Sequence, residues 1–400
     1  MRVSAALICL LVLSAACAAA APGPRPATGD QLYEAVVDFA ASPALAVIDS
    51  SSRSTARSLD LGVPSPDWKH LYSIQATSLV DTDPRTGAVQ NSVQLGGTYR
   101  LPAATANGVP GGLSPDGRWL VIESAAAQRT SMLIVDTTAF KVARRVALAG
   151  DFEFDAISDT GDNLYLIQRV SSGSYYVRLY DVAAGALAPY IVADKSDGDE
   201  AMAGLRLSGV ASRDHGWLFS MYVREHEPPF IHALSLGGPF ALCLDLPGKG
   251  YLDDPSEMDW SLAMSRDGSD VYAVNPATGA VVAVSTGGRN VPSILRTQRF
   301  QASPGRTVIA SNAALVDERM LVAGGDSGVV WIDATNLTLT SRVLDGWAIA
   351  GIALSPDGKT LYAVGAGGQV AAISTATRKV TATFDPSAGA PMALMRVAAA

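Results

Sequence analysis

The chain has 400 residues, of which 48% are hydrophobic and 17% are charged, so a large buried core is easily supplied. Its formal net charge is −8 at pH 7, with 30 basic and 38 acidic residues. Sequence-independent binding to nucleic acid requires clustered Lys and Arg that neutralise phosphates. We therefore expect no nucleic-acid partner.

The first residues have the layout of a bacterial export signal. Arg2 precedes an apolar run over residues 3–13, and the small residues Ser-Ala-Ala then precede Cys17. This ending resembles a lipobox, in which Cys17 would become the acylated first residue of the mature protein. The pattern predicts a signal peptide with a lipobox over residues 1–17 and a flexible Pro-rich tether over residues 18–29. The protein would be exported and lipid-anchored on the outer side of the cytoplasmic membrane. Cleavage a few residues later, giving a periplasmic or secreted protein, is the alternative.

A short, mainly hydrophobic motif of three residues, which we call a step, recurs eight times along the rest of the chain. A second apolar pattern follows each copy and closes on Asp or Ser, as in Ile134-Val135-Asp136. The spacing from copy to copy is about 32 to 55 residues, a period typical of repeat architectures. The eight steps are Gln31-Leu32-Tyr33, His70-Leu71-Tyr72, Trp119-Leu120-Val121, Asn163-Leu164-Tyr165, Trp217-Leu218-Phe219, Asp270-Val271-Tyr272, Met320-Leu321-Val322 and Thr360-Leu361-Tyr362.

Tight turns precede several of these steps. Three of them contain the same Ser, Asp and Gly, in Ser114-Pro115-Asp116-Gly117, Ser265-Arg266-Asp267-Gly268 and Ser355-Pro356-Asp357-Gly358. Pro presets φ, Asp bonds to its own backbone, and Gly accepts a positive φ. No helical periodicity lies between the apolar segments that the turns join. The pattern therefore predicts four short antiparallel strands per repeat.

The turns, the Leu-Tyr steps and the strands that close on Asp resemble the repeats of bacterial YVTN-type and WD-repeat-like β-propellers, over residues 30–397. The resemblance implies an all-β fold in which four-stranded antiparallel blades surround a central channel. Residues 30–400 would form a single domain of eight blades, with seven as the alternative. The first repeat supplies only three strands, and the apolar segment 391–397 has no blade of its own. We predict that this C-terminal strand pairs with the N-terminal blade and closes the ring.

Propellers of this kind serve many functions, so the resemblance leaves the activity open. We expect a monomeric binding or scaffolding module that takes a protein or small-molecule ligand on the face formed by its loops. Contact with the membrane is expected through the lipid anchor only, and no residue is assigned a catalytic role. The alternative is an enzyme, either a lactonase-like hydrolase or a cofactor-dependent oxidoreductase, with a cation or cofactor at the central channel.

Acidic residues are concentrated in three segments that we interpret as connections between blades, at 151–155, 194–200 and 251–259. The last of these would lie one blade away from the loop 224–230 and on the same face. Carboxylates on adjacent loops can supply the oxygen ligands that hard cations prefer, and calcium is therefore expected ahead of zinc. The alternative is that these acids are solvated surface charges. The candidate metal ligands are Glu225, His226, Glu227, Asp253, Asp254, Glu257 and Asp259.

Overall fold

The structure, a computed structural model, describes residues 29–37, 43–126, 129–171, 173–193, 200–288, 291–302, 313–317 and 319–400. The predicted signal peptide with its lipobox, and the predicted tether as far as residue 28, lie outside these ranges. Within them, no helix has both the length and the apolar character needed to cross a membrane.

The described residues form eight antiparallel sheets, which confirms the prediction of eight blades instead of seven. The first four blades contain β1 (Asp30–Val37), β2 (Ala44–Asp49) and β3 (Ser54–Asp60) in blade 1; β4 (Val63–Pro64), β5 (Leu71–Gln75), β6 (Ser78–Thr82) and β7 (Val89–Gln94) in blade 2; β8 (Trp119–Ala126), β9 (Arg129–Asp136) and β10 (Lys141–Ala149) in blade 3; and β11 (Phe152–Ile157), β12 (Asn163–Arg169), β13 (Ser174–Asp181), β14 (Ala186–Val192) and the short β15 (Met202–Ala203) in blade 4.

The other four blades follow in the same order, and a 3₁₀ helix (Pro255–Asp259) precedes blade 6. They contain β16 (Leu205–Ala211), β17 (Trp217–Val223), β18 (Phe230–Ser235) and β19 (Ala241–Asp245) in blade 5; β20 (Ser261–Met264), β21 (Asp270–Asn275), β22 (Ala280–Ser285) and β23 (Ser293–Arg299) in blade 6; β24 (Ala313–Asp317), β25 (Met320–Gly325), β26 (Gly328–Asp333) and β27 (Thr338–Val343) in blade 7; and β28 (Ile349–Leu354), β29 (Thr360–Gly365), β30 (Val370–Ser374) and β31 (Val380–Phe384) in blade 8. The last strand is β32 (Ala390–Ala399).

A hydrogen-bonded turn joins the first and second strands of most blades. In blade 6 the Ser265 hydroxyl donates to Asp267 Oδ1 at 2.7 Å and accepts from the Asp270 amide at 2.9 Å. Such side chains replace backbone partners in a turn. The bonds that Asp267 accepts hold its pKa at about 2. The same pair of bonds recurs around Ser65, Ser114, Ser212 and Ser355.

These turns define one face of the ring, because the second strand of each blade begins at its turn. We name this side the turn face; it carries the turns at 65–69, 114–118, 212–216, 265–269 and 355–359. The opposite side carries the hairpins between second and third strands and the connections between blades. We name it the loop face.

The ring is closed by β32, as the sequence predicted. This strand pairs antiparallel with β1, with Asp30 opposite Ala399 at one end, so blade 1 has the order β32, β1, β2, β3. Leu32 and Leu394 then pack in a buried cluster shared with blade 8. Gly351 on β28 lies so close to β32 that a Cβ atom there would overlap the Leu394 backbone. The two ends of the propeller are therefore held within one sheet.

Hydrophobic side chains fill the space between neighbouring blades. Between blades 5 and 6, Phe219, Met221 and Val271 pack in one cluster with Trp260, all of them fully buried. Successive residues of a strand point to opposite faces of its sheet, so each blade can present apolar side chains to both neighbours. Full burial of a side chain of this size contributes about 1.5–3 kcal/mol.

Blade 3 departs from the repeat. At its innermost position, Arg100 and Leu113 pair with β8 only through isolated β-bridges, and the described residues form no continuous strand there. Between these bridges residues 102–111 form a hairpin, in which Ala103 pairs with Pro110. At its tip the Gly108 amide donates to the Thr105 carbonyl at 3.0 Å. We name this segment the channel hairpin.

The channel hairpin reaches the innermost strands of two other blades. Arg206 on β16 donates from Nε to the Ala104 carbonyl at 2.7 Å, and the Ala106 amide donates to the Arg206 carbonyl at 2.9 Å. Asn107 Nδ2 donates to the Met392 carbonyl on β32 at 3.0 Å. Since the innermost strands line the central channel, a segment that starts in blade 3 and contacts blades 5 and 1 lies across that channel.

Candidate functional site

The loops that hold the seven predicted calcium ligands lie side by side on the loop face. The Tyr251 amide donates to the Arg224 carbonyl at 2.9 Å, which fixes loop 251–259 against loop 224–230. This close approach needs Gly250, because a Cβ atom there would overlap the neighbouring backbone.

The exposed candidate ligands pair with neighbouring side chains. His226 Nδ1 lies 3.2 Å from Asp253 Oδ1, and Glu227 pairs with Arg224 at 2.9 Å. Glu225 accepts a hydrogen bond from a neighbouring tyrosine hydroxyl at 3.5 Å. Exposed pairs of this kind contribute little to stability because water screens them.

The three remaining candidate ligands accept hydrogen bonds from other groups of the protein. Asp254 caps the 3₁₀ helix through a backbone amide, Glu257 accepts from Trp260 Nε1 at 2.8 Å, and Asp259 accepts from the Asp326 amide at 3.1 Å. Burial raises the pKa of Glu257. Burial and the Asp326 carboxylate raise the pKa of Asp259 to about 7.

The seven residues therefore do not form a single cluster. The structure brings His226 and Asp253 together, whereas Glu257 and Asp259 are buried. Across the ranges that the structure describes, no group of three or more His, Cys, Asp or Glu side chains is placed to hold a metal ion. Calcium binding stays a prediction from the sequence.

The interpretation of residues 151–155 as a connecting loop is wrong. Most of this segment belongs to β11 (Phe152–Ile157), and Asp155 is buried. The phenylalanines at 152 and 154 give it an alternating pattern that favours a strand. Most of the second acidic segment, residues 194–199, lies outside the described residues.

A cavity of about 250 Å³ opens between blades 4 and 5 on the loop face, at the mouth of the channel. We name it the blade 4–5 cavity. Residues 103–106 of the channel hairpin form its wall on the channel side. The residues of the two blades that line it are Glu153, Phe154, Ile167, Arg169, Tyr175, Gly204, Leu205, Arg206 and Tyr222.

A buried ion pair lies beside this cavity. Arg206 Nη1 donates to Asp155 Oδ1 at 2.8 Å, and the two side chains are 18% and 2% exposed. Asp155 Oδ2 is buried and has no hydrogen-bond partner among the described residues. A buried polar atom without a partner costs about 1–3 kcal/mol, and a ligand in the adjacent cavity is one way to supply that partner.

Aromatic rings and a second ion pair form the other wall. The rings of Tyr175 and Tyr222 are 6.2 Å apart, and the guanidinium of Arg169 lies 5.6 Å from the centre of the Tyr175 ring. Arg169 also pairs with Glu153 at 2.9 Å. Burial raises the pKa of Tyr222 to about 12, so its hydroxyl is neutral at physiological pH.

The blade 4–5 cavity combines planar rings with fixed donors and acceptors, the composition typical of a small-ligand site. Sequence reasoning missed it because Tyr175 and Tyr222 fit ordinary strand patterns. Arg206 gave no signal either, since it takes a polar position in the alternation of Leu205, Arg206 and Leu207 at the start of β16. Its partner Asp155 was assigned to a connecting loop from the sequence, whereas it lies in β11.

No protein-family model matches the sequence, and no curated protein sequence matches it. Solved structures do match. The dihydro-haem d1 dehydrogenase NirN is 14% identical, with a TM-score of 0.55, over 94% of this chain and 76% of that one. The computationally designed protein Ika8 is 11% identical, with a TM-score of 0.50, over 81% of this chain and 86% of that one. A periplasmic gluconolactonase from Pseudomonas aeruginosa is 18% identical, with a TM-score of 0.44, over 80% and 97%.

The chain is an eight-bladed β-propeller. At such low identities the structural matches establish the fold alone, and they include an enzyme and a designed protein. The function has to be argued from the residues of this propeller.

Proposed function

We propose that this protein is an exported, membrane-anchored β-propeller of the YVTN-like type that acts as a binding module, with the blade 4–5 cavity as its ligand site. The export signal and the cysteine at position 17 support the anchor. The cavity supports the binding role, and its position on the loop face agrees with the face expected from the sequence.

The observation that carries the proposal is the channel hairpin. The blades of a propeller surround a central channel, and here a segment of the chain itself lies across it. The hairpin leaves a side cavity whose polar groups are fixed in advance, because Arg206 is held by both Asp155 and the Ala104 carbonyl. Fixed groups lower the entropy cost of binding.

The size and chemistry of the cavity define the ligand class. Its volume of about 250 Å³ is below the 300–1,000 Å³ typical of pockets for drug-sized ligands. It suits a small planar organic molecule, or one planar side chain of a protein partner. The rings of Tyr175 and Tyr222 favour a planar group, and Arg206 favours a hydrogen-bond acceptor on it.

The test is a screen of small aromatic and heteroaromatic carboxylates for compounds that raise the melting temperature. Leu205 is 42% exposed and lines the cavity, so Leu205→Trp should fill the entrance and abolish the response. Leu252 is 59% exposed and lies on the same face away from the cavity, which makes Leu252→Trp the matched control. We expect the control to respond like the wild type.

Two results would contradict this function. One is a panel in which no compound stabilises the wild type, or in which Leu205→Trp responds as strongly as the control. The other is hydrolysis of an added lactone by the purified wild type, which would favour the enzymatic alternative.

A further inference from the structure

A second, larger cavity lies on the turn face, on the opposite side of the ring from the site proposed above. Its volume is about 1040 Å³, and it is formed by the turns of blades 5 to 8. Met264 and Leu354, at the ends of innermost strands, contribute to its wall, so the cavity lies at the mouth of the channel on the turn face. We name it the basin.

Three arginines line the basin. Arg213, Arg266 and Arg319 belong to the turns of three consecutive blades, and all three are exposed. No ion pair formed among the described residues involves any of them. In a chain with a net charge of −8, three guanidinium groups in one cavity without a paired carboxylate form a local positive field.

The fold does not require arginine at these positions. Arg213 and Arg266 occupy the second position of the repeated turn, where blades 2, 3 and 8 have Pro66, Pro115 and Pro356. Proline is the residue that the turn geometry itself favours there. The arginines therefore need an explanation other than turn formation.

The carboxylates that line the basin do not balance the charge of its three arginines. Asp357 accepts from the Ser355 hydroxyl at 2.7 Å and pairs with Lys359 at 3.3 Å, so its charge is already balanced. Asp317 is the other carboxylate in the lining. Among the lining residues that the structure describes, three guanidinium groups therefore face one further carboxylate.

The first strand along the chain also starts on the turn face. Strand β1 begins there at Asp30, whose carboxylate accepts a hydrogen bond from the Tyr362 hydroxyl at 2.9 Å. A tether over residues 18–29 can reach at most about 40 Å, since an extended chain spans about 3.3–3.6 Å per residue. An anchor at Cys17 would then attach to the propeller on its turn face and keep that face within reach of the membrane.

We propose that the basin binds phosphate-bearing anions and that the anion it meets is the headgroup of an anionic phospholipid. Arginine binds phosphate oxygens through paired N–H donors, and juxtamembrane basic residues are attracted to anionic bilayers. The choice of a lipid rests on the anchor in the proposed function. The basin and its three arginines do not depend on that anchor or on the blade 4–5 cavity.

The experiment uses the full chain with Cys17→Ser, which cannot carry a lipid, and every variant keeps the same N-terminal segment, so a difference in vesicle affinity between variants comes from the propeller surface. Its binding to phosphatidylglycerol vesicles is compared with its binding to phosphatidylcholine vesicles, and its melting temperature is measured with and without inorganic phosphate. The test variant adds Arg213→Gln, Arg266→Gln and Arg319→Gln. The control variant instead adds Arg129→Gln, Arg144→Gln and Arg299→Gln, three exposed arginines outside the basin that give the same change in net charge.

We expect selective binding to phosphatidylglycerol, retained in the control and weakened roughly a hundredfold in the test variant, at about 1 kcal/mol for each basic residue near the surface. Stabilisation by phosphate that only the test variant loses, without vesicle binding, would keep the anion site and replace the lipid with a soluble phosphate. Equal behaviour of the two variants, or no response to either probe, would overturn the proposal. A ligand response at the blade 4–5 cavity would be unaffected in each case, so the two proposals can fail separately.

Discussion

Glu34 is a glutamate on β1 that the fold buries completely, and burial raises its pKa to about 8. Neither carboxyl oxygen has a hydrogen-bond partner among the described residues. The strand pairs it with Ala46 on one side and Leu394 on the other, inside the blade that closes the ring. The uncharged, protonated form is therefore the one that the folded protein stabilises.

The raised pKa of Glu34 predicts a loss of stability with rising pH. An acid that binds its proton more tightly when folded stabilises the protein fully below its unfolded pKa and loses this contribution as pH rises towards the folded value. From pH 5 to pH 8 the expected loss from Glu34 is about 3 kcal/mol in the free energy of unfolding.

The test is Glu34→Gln, which mimics the protonated side chain. We expect similar melting temperatures for variant and wild type at pH 5 and a clearly higher one for the variant at pH 8.5. Glu225→Gln, at an exposed position, is the control and should follow the wild type at both values. A constant difference between Glu34→Gln and wild type across this range would show that the group does not titrate as its burial implies.

Sequence reasoning could locate carboxylates near the loop face but not their orientation. The loops 224–230 and 251–259 were expected on one face, and backbone hydrogen bonds hold them together there. The inward direction of Asp259 depends on the Asp326 amide, and on Gly325, where a Cβ atom would overlap the Asp259 carboxylate. Such contacts join residues that are far apart in the sequence, so no short sequence pattern predicts them.

At the level of single elements, β32 is the strand on which the ring depends. It covers β1 along its whole length and touches the channel hairpin through Met392. Without it, β1 would become an unpaired edge with buried hydrophobic residues exposed, and exposed edges promote aggregation.

Truncation after Asp385 removes β32 and should therefore lower the melting temperature sharply or make the protein insoluble. The matched control is removal of Ala400 alone, which lies beyond the strand and should change nothing. Melting temperatures from circular dichroism, together with the soluble fraction, decide the outcome. A truncated protein that melts like the control would mean that the blade 1 sheet does not need its fourth strand.

The elements that follow the repeat were predictable, and the ones that break it were not. The Leu-Tyr steps became second strands, and the Ser-Asp turns formed where the sequence placed them, because both are produced by local chemistry. The channel hairpin has no periodic pattern, and its position depends on distant partners at Arg206 and Met392. Blade 3 was therefore expected to have four regular strands, whereas its innermost strand is broken by the hairpin.

For the whole molecule, the proposed function assigns the location in the cell to residues outside the propeller. The proposed anchor predicts that Cys17→Ser moves the protein from the membrane fraction to the soluble extracytoplasmic fraction. Cys9→Ser, within the same signal segment, is the control and should leave the protein at the membrane. Fractionation followed by immunoblotting reads out both variants. An identical distribution of wild type and Cys17→Ser would exclude a lipid at that position.

The pairing of Asp30 with Ala399 also constrains how the protein is made. Blades 2 to 8 are contiguous in the chain and can form in the order in which their residues emerge during synthesis, whereas blade 1 has to wait for the last strand. Until β32 arrives, blade 1 lacks its innermost strand and β1 keeps an unpaired edge. An exported propeller of this design would keep β1 unpaired until β32 has crossed the membrane, so its yield in the cell should depend on how quickly that strand follows the other blades.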